Sequence, residues 1–250
     1  MGVLEDLLAS LPTEDTPPRD LCIGAFWTVV WGRQGCGLAA TQRDEEAPHG
    51  QPVVRWAGHL LEHSTGELAT LILSDHPTEA ALGMAAVNAL LPVDLARCTE
   101  ENAAEVIARR GAGRNVVIVG HFPFVERLRP IVRSLAVLEL RPRPGDLEAS
   151  RAAEVLPGAD VVALTGTTLL NRTFEDLRRL WRPGAFVLML GPTTPLSPVL
   201  FDYGVDMLAG VVVTDPALVL RHAAEGSIFR QMRGVRLVTM TAPARTRGHM

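Results

Sequence analysis

Lysine is absent from this sequence: all 24 of its basic residues are arginine. That removes a Schiff-base lysine, a P-loop lysine and a lysine general base from consideration. The bias itself reads first as the mark of a GC-rich genome. Cysteine is scarce as well. Cys22, Cys36 and Cys98 lie far apart with no CxxC pair, so spacing offers neither a zinc knuckle nor a redox couple. There is no basic surplus, because the net charge is -4 and the pI about 6.0. Neither nucleic acid nor an anionic membrane is therefore an expected partner. No apolar run reaches the roughly 20 residues that span a bilayer. The opening "MGVLEDLLAS" has acids where a signal peptide has bases. These absences predict a soluble, cytoplasmic protein with reduced thiols.

What remains is a good supply of core. Hydrophobic residues make up 47% of 250, enough for one large domain or two small ones. The pattern changes near residue 100. Before it, "LEDLLASL" reads as a short helix and "LCIGAFWTVVWG" as one strand. "CGLAAT" reads as its hairpin partner after the turn "GRQG". "QRDEEAPHGQP" is a loop by its charge and prolines. "ELATLILS" fits a strand or a helical turn equally. "DHPTEAALGMAAVNALL" predicts a helix with Pro77 and Glu79 in its first turn.

After residue 100, strands apolar on both faces alternate with helices. The strands are "NVVIVG", "LAVLEL", "ADVVALTG", "AFVLMLG", "VDMLAGVVV" and "VRLVTMTA". The helices are "TEENAAEVIARR" with Thr99 as cap, "FVERLRPIVR", "LEASRAAEVL", "TFEDLRRLW" with a Thr173/Asp176 capping box, and "PALVLRHAAEG". The alternation predicts an α/β fold with a Rossmann-like parallel sheet over residues 99–250. A smaller α+β domain should precede it over residues 1–98.

Ligands of such sheets bind beyond the carboxyl ends of the strands. The turns there carry Gly120, His121, Phe122 and Pro123; Glu139 and Asp146; Thr165, Gly166, Thr167, Thr168 and Asn171; Gly191, Pro192, Thr193 and Thr194; and Asp215. Matched to a GxGxxG fingerprint from Gly120, the second glycine position holds Phe122 and the third Val125. A side chain at the second blocks a pyrophosphate, which excludes a standard NAD or FAD mode. Glu139, nineteen residues on, stands where an acid bonds ribose hydroxyls. An adenosyl group without pyrophosphate, as in S-adenosylmethionine, is therefore allowed. His121 is the candidate metal ligand or acid/base, with Glu139, Asp146 and Asp215 as its topological neighbours. His59 and His63 stand four apart in "HLLEH", without the zincin glutamate.

Taken together, "VVIVGHFPFV", "PGADVVALTGTTLLNRTFEDL", "GPTTPLSPVLFDYGVDMLAG" and "ALGMAAVNALLP" resemble the DUF364 family with its DUF4213 N-terminal domain. That resemblance implies an enolase N-terminal-like domain ahead of the Rossmann-like one, heavy-metal chelation, and a site between the two domains. It carries over Gly120 to Pro123, Thr165 to Thr168, Asn171, Gly191 to Thr193, Asp146 within "PGD", and Asn88. Enolase chemistry is not implied, because no catalytic barrel follows.

Three readings follow for the partner. The first is a metal ion, metal complex or small ligand held between the two domains, with His121 and one or more carboxylates contributing. The second is an enzyme using an adenosyl cofactor, with His121 as acid or base. The third is a protein adaptor, and the sequence leaves an oligomer open.

Overall fold

The structure is a computed structural model that describes residues 2–13, 16–43, 50 and 52–243. Helix α1 (Val3–Ala9) leads into strands β1 (Asp20–Ile23), β2 (Trp27–Trp31) and β3 (Cys36–Ala40). These form an antiparallel sheet in the order β1-β2-β3. The single strand expected over 21–32 is thus two. The chain folds back at Gly24, whose N–H donates to the Trp27 carbonyl. Gly24 abuts the Ala223 carbonyl so closely that a Cβ has no room. "CGLAAT" returns after "GRQG" as expected. Most of the charged loop over 42–52, His49 included, lies outside the described residues.

Helix α2 (Thr65–Thr70) settles the ambiguity of "ELATLILS" in favour of helix. Ser64 and Glu67 close a capping box at its start. Helix α3 (Pro77–Leu90) is buried all round, apart from Pro77 and Asn88. It lies on β2 and β3, with α2 and the turn Leu71–Leu73 on its other side. That fit depends on two glycines. Gly37 of β3 meets the backbone of Ala85 and Ala89, and Gly83 of α3 meets the backbone of Ile72.

The second sheet contains β4 (Cys98–Thr99), β5 (Asn115–Val119), β6 (Ser134–Glu139), β7 (Leu147–Glu148), β8 (Val161–Thr165), β9 (Phe186–Leu190), β10 (Met207–Val213) and β11 (Val235–Thr241). Its order is β4-β11-β10-β9-β8-β5-β6-β7. From β7 to β10 every pair is parallel; β11 runs antiparallel to β10 and to β4. Numbered from β5, the parallel part has the doubly wound order 3-2-1-4-5-6. The order reverses between β5 and β8.

The helices of this part are α4 (Ala103–Gly111), α5 (Val125–Leu128), α6 (Ala152–Val155), α7 (Thr167–Leu170), α8 (Phe174–Arg178), α9 (Val199–Asp202) and α10 (Pro216–Ala224). Several differ from expectation. Asn102, not Thr99, caps α4, because Thr99 pairs in β4 with Thr239 of β11. The segment 147–156 is a short strand, a 3-10 turn and α6 in place of one helix. "FVERLRPIVR" yields only the four residues of α5 before Pro130. Thr173 does not cap α8, since its hydroxyl donates to Asn171 Oδ1 at 2.7 Å.

The two sheets share cores. One apolar cluster joins α1 and α3 to α7, α8 and α9. A second joins Val29 and Leu38 of the small sheet to Val219, Leu220 and Ala223 of α10. The small sheet is therefore packed between α3 and α10. Among the described residues, no helix is long and apolar enough to cross a membrane.

Candidate functional site

The reversal of strand order opens a crevice at the carboxyl ends of β5 and β8. A cavity of about 210 Å³ lies there. Its walls come from the end of β5 (Val119, Gly120), the end of β6 (Leu138, Glu139, Leu140) and the end of β8 with α7 (Thr165, Thr167, Thr168, Asn171). Ala149, Ala152, Thr173, Asp176, Leu177 and Leu180 complete them. Gly120 has φ 100°, and a Cβ on it would stand 3.1–3.2 Å from the Thr165 side chain. Glycine thus permits both the left-handed turn and the close approach of β5 to β8.

Most of the wall is apolar, with a few polar groups set in it. Glu139 is the most constrained of these. Its Oε1 accepts the His121 N–H at 2.9 Å and its Oε2 the Leu140 N–H at 3.0 Å. Thr165 and Thr167 share a hydrogen bond between hydroxyls, and Thr168 donates back to the Thr165 carbonyl. Asn171 Oδ1 accepts both the N–H and the hydroxyl of Thr173. Its amide NH2 has no partner among the described residues. Among the described residues, the ionisable groups in the wall are Glu139 and Asp176, and neither is a cation that could meet a phosphate.

Beside the cavity, His121 Nδ1 lies 3.0 Å from Asp146 Oδ2. The Asp146 side chain is 2% exposed and the imidazole 21%. The same Oδ2 accepts the Arg143 N–H at 3.2 Å. "PGD" thus bends Asp146 under the imidazole, with Gly145 at φ 95° making the turn. Phe122 stacks on Phe124 at 5.3 Å and joins the core under α5, while Pro123 is exposed. Phe122 therefore fills space next to Gly120, 3.5 Å from where a Cβ would stand.

Other expected site residues are occupied elsewhere. Thr193 is 2% exposed and its hydroxyl accepts the Ala40 N–H at 3.0 Å. Asn88 donates to the carbonyls of Leu38 and Thr193. Both stitch β3 to the loop after β9. A Cβ on Gly166 would meet Thr194 N at 2.7 Å, so this glycine serves packing between two turns. Gly191 and Pro192 follow β9 outside the cavity wall, and Asp215 caps α10 by accepting the Leu218 N–H. The cavity walls all lie between residues 119 and 180. Its apolar members, such as Ala149, Ala152, Leu177 and Leu180, carry no sequence signal that separates them from core.

Metal ligation can be tested against these donors. Among the described residues, no three His, Cys, Asp or Glu side chains converge as a cation cage. Soft metals take thiolates. Burial pushes the Cys36 thiol up to about 12, and burial, helped by Asp20 and Asp94 respectively, also raises Cys22 and Cys98. Among the described residues, the side chains do not fit a chelated heavy-metal ion.

Fold and crevice define a doubly wound α/β protein with a cavity at its switch point, built onto a three-stranded α+β unit. The chain belongs to the DUF364 family, whose model, described as "Putative heavy-metal chelation", matches residues 102–241. The DUF4213 model, with the same description, matches residues 4–91. A crystal structure of a DUF364 protein of unknown function from Desulfitobacterium hafniense is similar, with TM-score 0.84 and 26% identity. The match covers 96% of this chain and 97% of that one. A second DUF364 structure, from Pyrococcus horikoshii and also of unknown function, shares the fold with TM-score 0.78 and 21% identity. It covers 96% of this chain and 98% of that one. An uncharacterised protein of Methanocaldococcus jannaschii is 27% identical over 209 residues, 80% of this chain and 79% of its own length.

Proposed function

We propose that the chain binds a small organic ligand at the β5/β8 crevice, and that a metal reaches the site only within such a ligand. The observation that carries this reading is the cavity itself, apolar-walled and placed at the strand-order reversal. Drug-sized pockets run to roughly 300–1,000 Å³. At about 210 Å³ this one accepts a ring-sized, uncharged or cationic moiety and leaves the rest of the ligand at the mouth. On this division residues 1–98 act as the supporting domain and 99–250 as the ligand-binding one.

The test is mass spectrometry under native conditions, with elemental analysis, on full-length protein purified without a metal-affinity tag. A retained organic molecule is expected. Ala149→Phe, which fills the cavity from its half-buried rim, should lose that molecule while far-UV circular dichroism stays unchanged. A stoichiometric metal with no organic partner would overturn the reading.

One observation favours a second reading, an enzyme with an adenosyl-type cofactor such as S-adenosylmethionine. Glu139 ends β6 in the cavity wall, the place of a ribose-binding acid, and Phe122 stands where a pyrophosphate-binding fingerprint has its second glycine. Calorimetry with S-adenosylmethionine should then show binding that Glu139→Ala weakens about tenfold, the scale of a hydrogen bond to a charged group. No heat and no thermal shift would exclude it.

A further inference from the structure

We infer that His121 is a proton acceptor for a group presented at the cavity mouth, and that Asp146 is its positioning residue. The inference comes from how the imidazole is held. Its Nδ1 meets a carboxylate oxygen that is buried and already accepts the Arg143 N–H. An oxygen in that position acts as an acceptor, so Nδ1 is the donor and carries the proton. In the neutral ring the lone pair then lies on Nε2. Nε2 has no hydrogen-bond partner among the described residues.

Two ties place the His121 backbone beside the cavity. His121 follows Gly120, a wall residue, and its own N–H is held by Glu139, another wall residue. Its ring is not part of the wall but turns to Asp146, which lines the neighbouring surface pocket with Arg143 and Gly145. The remaining described histidines lack this arrangement. His59 pairs with Glu62 in solvent, His63 stacks on Trp56, and His222 bonds the Ser227 hydroxyl. His76 Nδ1 is buried without a partner. Among the described histidines, only His121 is backed by a buried carboxylate.

A buried carboxylate behind Nδ1 does two things. It fixes ring and tautomer, and it stabilises the imidazolium that forms when Nε2 takes a proton. The step is a simple transfer. An O–H, N–H or acidic C–H of the bound molecule gives its proton to Nε2, and the bonding pair stays on the ligand atom. The proton returns from the imidazolium to ligand or water when the step reverses or completes. Among the described residues, the cavity wall offers no second base of this kind. Glu139 has both oxygens engaged by backbone N–H groups, and Asp176 pairs with Arg179 at 2.9 Å.

This rests on the ligand-binding reading only for what supplies the proton. The pair itself is tested on ligand-free, full-length protein, so a failed ligand search and a failed dyad are separate results. Long-range ¹H–¹⁵N spectra of the histidine rings should show His121 protonated at Nδ1 and bare at Nε2. Asp146→Ala should release it to the mixed tautomers of an untethered ring. Brief treatment with diethyl pyrocarbonate, followed by peptide mapping, supplies the second readout. His121 should be carbethoxylated faster than His59, although His59 is far more exposed. In Asp146→Ala the His121 rate should fall about tenfold, the low end of what a hydrogen bond to a charged group contributes. If Asp146→Ala does not fold, the wild-type tautomer and the His121-to-His59 ratio still decide. A wild-type ring protonated at Nε2, or one labelled no faster than His59, would overturn the inference.

Discussion

Gly83→Ala is expected to leave little or no folded protein. A Cβ at this position falls on the backbone of Leu71 and Ile72, which cannot swing aside as a side chain could. Nor can α3 retreat, because its far side is pressed on Gly37, where the backbone of Ala85 and Ala89 already touches β3. Overpacking usually costs ~1–3 kcal/mol. With both sides of the helix blocked by main chain, more than ~4 kcal/mol is expected here, a large part of the ~5–15 kcal/mol that holds a domain together. Urea unfolding followed by circular dichroism measures it. Gly158→Ala is the control, since nothing lies within 4 Å of its added Cβ. A Gly83→Ala midpoint close to that of the control would show that α3 is free to shift.

The second large effect is expected from Arg55→Ala. Glu79, in the first turn of α3, is 5% exposed. It accepts the Arg55 N–H at 2.7 Å, the guanidinium through both oxygens at 2.6–3.0 Å, and the Ser74 hydroxyl at 2.5 Å. Removing the guanidinium leaves a buried carboxylate with half its partners, a change that costs ~3–5 kcal/mol in closed interiors. Arg55 itself is 52% exposed, so about 2 kcal/mol is the expected loss here. The pH dependence should confirm the source. Burial alone would push the Glu79 carboxyl up, but the bonds from Arg55 and Ser74 outweigh it and hold it at about 2. The folded value lies below the ordinary 4.5. Its stabilisation is therefore complete above about pH 4.5 and is lost as pH falls towards 2. The gap between wild type and Glu79→Gln should be flat near neutrality and close over that acid range. A gap that persists at pH 2 would assign the effect to packing.

Periodicity made the second half readable. Strands such as "VVALT" and "FVLML" are apolar on both faces because helices cover both sides. Periodicity could not give the spatial order, nor the antiparallel turn of β11. The break at Gly24 was hidden for another reason. It answers to Ala223, a neighbour in space that is remote in sequence. At the site, spacing from Gly120 pointed to Glu139, and the cavity wall contains both. Asp146 was one acid among three until the PGD turn placed it under His121. Asn88 stands out as a polar residue on an apolar helix, and it bonds two carbonyls at the seam between the sheets. The apolar wall left no trace, since a leucine facing a cavity looks like a leucine facing a core.

The small sheet is closed on one face by α3 and on the other by α10, and α10 comes from the far end of the chain. During synthesis the hairpins of residues 20–40 emerge long before residues 216–224, with Val29 and Leu38 still uncovered. The usual rule that the leading domain folds first as a unit does not hold for such an arrangement. The early segment must wait, unfinished, for its second wall. Closure joins residues about 190 positions apart, and contacts of that separation make folding slow. A separate tie, the Ala40 N–H to the Thr193 hydroxyl, holds the loop after β9 against β3. A chain that stops short of α10 would expose the tryptophan-rich face of its first sheet.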